Sequence, residues 1–168
     1  MEAGYVIENL TCTPDAEIRN CHFGSCRARG LLVSTPGKVI IENNVFESSG
    51  SAILIAGDAN AWYESGAVKD VLIRNNDFRY PCNSSLYQFC EAVISIDPEI
   101  PTPEQKYPYH RNIRIVDNTF HLFDYPILFA RSVDELTFSS NTLIRDTTYQ
   151  PYHYRKDCLL YTSPSPRD

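Results

Sequence analysis

The chain has 168 residues, a formal net charge of −6, 43% hydrophobic and 21% charged residues. That length suffices for one modest core, and a mildly acidic balance with scattered Lys and Arg lacks the basic footprint of a nucleic-acid binder. No apolar run approaches the ~20 residues of a membrane span, and no basic-then-apolar leader follows Met1.

The predicted elements are short strands. In chain order they are GYVIEN from Gly4, EIRNCHF (Glu17–Phe23), GLLVST from Gly30 and VIIENNVF (Val39–Phe46). SAILIAG from Ser51, VLIRNNDF (Val71–Phe78) and EAVISID from Glu91 follow. IRIVDNTF (Ile113–Phe120), YPILFAR from Tyr125 and LTFSSNTL (Leu136–Leu143) complete the series. Their apolar runs are brief, β-branched and bounded by Gly, Asn, Asp or Pro. No window of helical length keeps a 3.6-residue apolar period.

Half of these elements repeat one another. Their closing residues Phe23, Phe46, Phe78, Phe120 and Leu143 are spaced by 23, 32, 42 and 23 residues. Two positions before each stands Cys21, Asn44, Asn76, Asn118 or Asn141. Two short strands per repeat, with a basic unit of ~21–23 residues, is a solenoid pattern. Leucine-rich repeats share the period, but would show a fixed Leu framework and a helical half. The pattern predicts an all-β fold, a right-handed parallel β-helix of about five coils, truncated at both ends. Phe46, Phe78 and Phe120 should stack in the bore. The recurrent Asn should satisfy corner backbone groups and stack on the next Asn, a structural duty. Cys21, in the Asn position, reads as a small buried thiol.

In an aligned solenoid, longer intervals are loops leaving fixed corners. After the second element, one coil exits through STPGK and the next through GDANAWYESGAVK. The following coils exit through DPEIPTPEQKYPYHR and the short RSVDE. Two neighbouring coils therefore project long polar, aromatic loops from one corner, and RYPCNSSLYQFC (Arg79–Cys90) leaves another. A groove walled by such loops on a rigid sheet suits a binding site. Trp62 and Tyr63 offer planar faces for a pyranose. Asp58, Asn60 and Glu64 offer hydroxyl partners, and Asp97 begins the next loop. Arg27 and Arg29, just before the Gly30 strand, can donate to hydroxyls or orient acids. Taken singly, Trp62 suits a buried loop anchor and the charged residues suit surface ion pairs. Their density in one loop favours a site.

Other chemistries find less support. The chain contains neither a Ser elbow nor a phosphate-cradling Gly loop. Outside the last eleven residues the cysteines are Cys12, Cys21, Cys26, Cys82 and Cys90, at no zinc-like spacing. Cys82 and Cys90 flank one loop and are placed for a bridge in an oxidising compartment. NLT at Asn9 and NSS at Asn83 match the glycosylation triplet. His110 and His153 sit in similar YPYHR and QPYHYR settings that read as loop packing, and no metal or cofactor is implied. Residues 158–168, CLLYTSPSPRD, back-translate as a sequencing-library adapter read in frame. The expected division is a partial β-helix domain at 1–157 and a non-native tail at 158–168.

The stretch Arg19–Phe78 resembles glycoside hydrolase family 110. The likeness is densest over STPGK, ILIAGDANAWYESG and IRNNDF, and continues more loosely to Asn141. The resemblance implies a metal-free, inverting bacterial α-galactosidase on a parallel β-helix. Its substrate would be terminal α-1,3-linked galactose, as on blood-group B glycans. It also implies a periplasmic, cell-surface or secreted parent. Asp58, Asn60, Trp62 and Glu64 lie in the matching motif and carry over as galactose contacts, with Arg27 and Asp97 as further candidates. The family's adjacent Asp-Asp pair has no counterpart here, so no catalytic residue carries over. The expectation is a fragment inactive by itself. The alternatives are another β-helix carbohydrate enzyme (a pectinase or polysaccharide lyase) and a non-catalytic glycan-binding adhesin segment. A lyase would want a calcium-binding acid cluster with a basic residue beside it.

Overall fold

The computed structural model describes residues 7–26, 28–48, 50–58, 62–64, 66–79, 91–100, 107–122 and 126–148. The tail at 158–168, His153, Cys82, Cys90 and the triplet at Asn83 lie outside them. Within them the chain is a right-handed parallel β-helix of about five coils. The first coil carries β1 (Ala16–Arg19), β2 (His22–Gly24) and β3 (Arg29–Val33). The second carries β4 (Lys38–Glu42), β5 (Val45–Glu47) and β6 (Ser51–Ile55). The third carries β7 (Asp70–Arg74), β8 (Asp77–Phe78) and β9 (Ile94–Ile96). β10 (His110–Val116), β11 (Thr119–Leu122) and β12 (Leu128–Ala130) form the fourth, and β13 (Val133–Ser139) and β14 (Thr142–Arg145) begin the fifth. The one helical element among the described residues is a 3-10 turn at Leu10–Cys12, capped by Asn9.

Three parallel sheets result, ordered β1-β4-β7-β10-β13, β2-β5-β8-β11-β14 and β3-β6-β9-β12. The sequence pattern suggested two strands per repeat; the structure has three. The first element is bent in two by a corner at Asn20–Cys21, Asn43–Asn44, Asn75–Asn76, Asp117–Asn118 and Ser140–Asn141. The first residue of each pair has φ between 52° and 55°. Asn and Asp tolerate that left-handed conformation better than other side chains, so the corner is written as a short polar pair inside an apolar run.

The second corner residue forms a ladder. The Asn44 amide donates to Asn76 Oδ1 at 3.0 Å, and Asn76 donates to Asn118 Oδ1 at 3.0 Å. Asn118 donates to Asn141 Oδ1 at 3.0 Å. Each Oδ1 also accepts the backbone N–H of the preceding rung, beginning with Cys21 N–H on Asn44 at 2.9 Å. Cys21 itself is exposed, against the expectation of a buried thiol. No described coil lies beneath it to cover the sulfur.

The bore is filled in register. Phe23, Phe46, Phe78 and Phe120 stack with centroids 4.9, 5.0 and 4.6 Å apart and rings within 10° of parallel. Those spacings match the ~4.8 Å rise between paired strands. Ile41, Ile73 and Ile115 form a second stack, and Ile53 and Ile94 a third, all fully buried. Registers Val39↔Val71↔Ile113 reproduce the sequence intervals of 32 and 42 residues, so the extra residues of those coils lie in loops. Gly50 has no room for a side chain, since a Cβ there would fall 1.9 Å from the Ala28 carbonyl oxygen.

Candidate functional site

On the β3-β6-β9-β12 sheet, side chains alternate between bore and exterior. Ile53 and Ile55 point inward and are fully buried. Leu54 between them points outward, in register with Leu32 on one side and Ser95 on the other. Leu32, Leu54 and Ser95 floor a cavity of about 440 Å³. Its walls are the two long loops foreseen from the repeat. Asp58, Trp62 and Glu64 come from the loop after β6, and Asp97 and Glu99 from the loop after β9. Glu91, ahead of β9, Arg29, the first residue of β3, and Ala56 also line it.

The loops leave their coils tied together. Asp97 N–H donates to Ile55 C=O at 2.9 Å, and Glu99 N–H donates to Gly57 C=O at 3.0 Å. Asp58 and Glu99 form a parallel bridge, extending the sheet past its strands. Glu64 N–H donates back to Asp58 C=O at 2.8 Å, closing the aromatic turn. Tyr63 takes φ 53°, a left-handed position unusual for an aromatic residue, and is exposed outside the cavity lining. From the coil above, the Arg131 guanidinium donates to Pro98 C=O at 2.8 Å and forms an ion pair with Asp97, its Nη2 lying 2.7 Å from Oδ1. Asp97 is thus held both by its backbone and through its carboxylate.

Trp62 is 80% exposed. A tryptophan anchoring a solvated loop would bury its ring; this one keeps its ring available at the rim of a cavity. Asp58 is 5% exposed and sits at the base of the same wall. Its charge is felt at Tyr109, whose phenol is pushed above its ordinary pKa first by burial and then by the negative charges of Glu8 and Asp58. Among the described residues, no three His, Cys, Asp or Glu side chains converge as a metal-binding group. The five lining carboxylates are spread around the mouth rather than gathered on a point.

Asp58, Trp62, Glu64 and Asp97, singled out from the sequence, therefore line one cavity. Asn60 and Arg27 lie outside the described residues. Sequence reasoning passed over Glu91, Glu99, Ser95, Leu32 and Leu54. The floor was accessible from the alternation, since Leu32 and Leu54 each occupy the outward register of a strand whose neighbours face inward. Glu99 lies two residues after Asp97, so extended backbone returns it to the same side. Glu91 gave no comparable signal. His110 is not in a loop, as its YPYHR setting suggested; it opens β10 with its ring buried in the interior.

Comparison with known proteins adds the relatives. Alpha-1,3-galactosidase B of Bacteroides thetaiotaomicron is 96% identical over 157 residues, covering 94% of this chain and 26% of its own length. Alpha-1,3-galactosidase A of Bacteroides fragilis is 50% identical over 147 residues, covering 85% of this chain and 24% of its own length. Alpha-1,3-galactosidase B of Akkermansia muciniphila is 44% identical over 163 residues, covering 93% of this chain and 20% of its own length. The chain spans about a quarter or less of the length of these curated relatives. A model of the right handed beta helix region matches residues 6–154. That match takes in every coil of the solenoid, and the chain belongs to the right-handed β-helix family.

Proposed function

We propose that this chain supplies the glycan-holding wall of an exo-acting α-1,3-galactosidase, one that releases terminal α-1,3-linked galactose with inversion. The observation that carries the reading is the exposed Trp62 ring beside Asp58, Glu64 and Asp97 in one cavity, in a chain whose relatives bear that name. Trp62 stacks on the apolar face of the terminal galactose. Asp58 and Glu64 accept its hydroxyl protons. Arg131 fixes Asp97 so that its carboxylate meets the sugar in a single orientation. Asn60 and Arg27 belong to the same binding set in this reading, and the natural setting is a bacterial periplasm, cell surface or exterior.

An inverting glycosidase needs an acid and a base across one glycosidic bond, ~6.5–9.5 Å apart, held on rigid elements. In this reading that pair belongs to the part of the relatives' length that these 168 residues do not span. The cavity described here positions the sugar and excludes bulk water from one side. The chain alone, given terminal α-1,3-galactosyl disaccharide, should bind it weakly and release no galactose. Turnover that disappears in Asp58→Ala or Glu64→Ala would overturn the assignment and make the GDANAWYESG loop catalytic. Restoration of turnover by the remaining coils of the Bacteroides thetaiotaomicron relative, supplied in one polypeptide, supports it. In that longer protein Trp62→Ala should raise KM more than it lowers kcat.

A further inference from the structure

The loop that carries Trp62 is tied down at both ends. Its start is held by Glu99 N–H on Gly57 C=O, and Glu64 N–H returns to Asp58 C=O. At its exit, Val68 N–H donates to the buried His110 ring at 3.2 Å. Gly66 N–H donates to Glu8 Oε2, also at 3.2 Å, from a partner 58 residues earlier in sequence. Glu8 lies outside the GDANAWYESG motif and outside the cavity lining. A Cβ on Gly66 would fall 2.9 Å from that carboxylate oxygen and 4.0 Å from Tyr109 Oη, so Glu8, Gly66 and Tyr109 meet at one place. Asp58, at the start of the loop, is near enough for its charge to act with that of Glu8 on the Tyr109 phenol. The segment behind Glu8 is itself fixed. Asn9 caps the 3-10 turn by accepting Thr11 N–H at 3.0 Å. Thr35 Oγ1 donates to Pro14 C=O at 3.0 Å, and Asp15 Oδ1 accepts Lys38 N–H at 2.7 Å. A carboxylate anchored from behind gives up less conformational entropy when it holds a second group in place.

Resting on the reading of this cavity as a galactoside site, we propose that Glu8 is a positioning residue for the Trp62 loop. Its bond to Gly66 N–H fixes the loop exit four residues after Trp62, and so narrows the orientations the indole can take over the cavity. Trp62 is 80% exposed, so packing does little to set its ring. An aromatic platform holds a sugar more tightly when its orientation is set beforehand, because less ordering remains for the complex. Glu8 touches no sugar in this account; it acts through Trp62.

Three full-length chains test this: native, Glu8→Ala and Glu8→Gln. Time-resolved fluorescence anisotropy reads the wobble of Trp62, the single tryptophan, and calorimetric titration with methyl α-1,3-galactobioside reads affinity. Glu8→Ala should widen the nanosecond wobble of the indole and weaken binding about threefold to tenfold. Glu8→Gln keeps an acceptor oxygen for Gly66 N–H and should hold both quantities within about twofold of native. Unchanged wobble in Glu8→Ala overturns the proposal, and so does unchanged affinity where the native chain binds the sugar. A Glu8→Gln chain as impaired as Glu8→Ala also overturns it, because the charge and not the bond would then be responsible. Loss of β-sheet circular dichroism in Glu8→Ala does the same, since position 8 would then support the fold as a whole. If the folded native chain binds no galactoside, the galactoside reading fails, while the wobble still decides whether Glu8 holds the loop.

Discussion

His110 opens β10 with its ring wholly inside the solenoid. Its Nδ1 accepts the Val68 N–H at 3.2 Å, so the neutral ring carries its proton on Nε2. Among the described residues that nitrogen has no hydrogen-bond partner. Burial lowers the imidazole from an ordinary pKa of 6.5 to about 4. The unfolded chain therefore takes up the proton first as pH falls. Stability from the buried neutral ring is fully present above about pH 6.5 and is lost as pH drops toward 4, by on the order of 3 kcal/mol. Urea midpoints across that range should fall more steeply for the native chain than for His110→Asn, which keeps an acceptor near Val68. Parallel curves for the two would show that His110 does not titrate in this way. Trp62 illustrates the opposite limit of sequence reading. Its neighbours made a sugar platform and a loop anchor equally legible, because exposure is decided by how Glu64 N–H folds back on Asp58. No local pattern announces that contact.

At the scale of the element, the corner pair does two separate jobs. Asn75 absorbs a φ of 52°, whereas Asn76 is buried and spans coils. Asn76 donates to Ile41 C=O at 2.9 Å and to Asn118, and its Oδ1 accepts both the backbone and side-chain N–H of Asn44 at 3.0 Å. Asn76→Ala strips partners from the Ile41 C=O and Asn44 N–H of the preceding coil and from the Asn44 and Asn118 amides on either side, and should cost about 3 kcal/mol or more. Asn75→Gly, which relieves a left-handed backbone, should change stability by no more than about 1 kcal/mol. Comparable losses from both, measured by urea unfolding, would contradict the division of labour. The Asn recurrence and the Phe stack were legible because each coil imposes the same inward and corner positions on its residues. The third strand was not legible. NN or DN inside an apolar run does not look like a break until its first residue is known to have positive φ. Cys21 was misread because burial of a rung depends on the coil beneath it, which lies beyond the repeat's own sequence.

Over the whole molecule, stacking of coils converts distance along the chain into proximity. Asp58 and Asp97 are 39 residues apart in sequence, yet the Ile53↔Ile94 and Ile55↔Ile96 register brings their loops to adjacent exits on one sheet. The cavity exists because two consecutive coils carry insertions at the same corner, and its floor because one strand face is turned outward. This geometry ties fold to function. The bore and the Asn ladder fix the sheet, the sheet fixes the loop exits, and the loops present Trp62 with carboxylates around it. Trp62 is the single tryptophan of the chain, so its emission reports on this site and nowhere else. Titration with α-1,3-galactobiose should give a saturable blue shift and intensity change as the sugar covers an indole that is 80% exposed. An equal concentration of maltose should leave the emission unchanged. A folded chain whose emission is unmoved by the galactoside, or moved alike by both sugars, would contradict the assignment of this groove to terminal galactose.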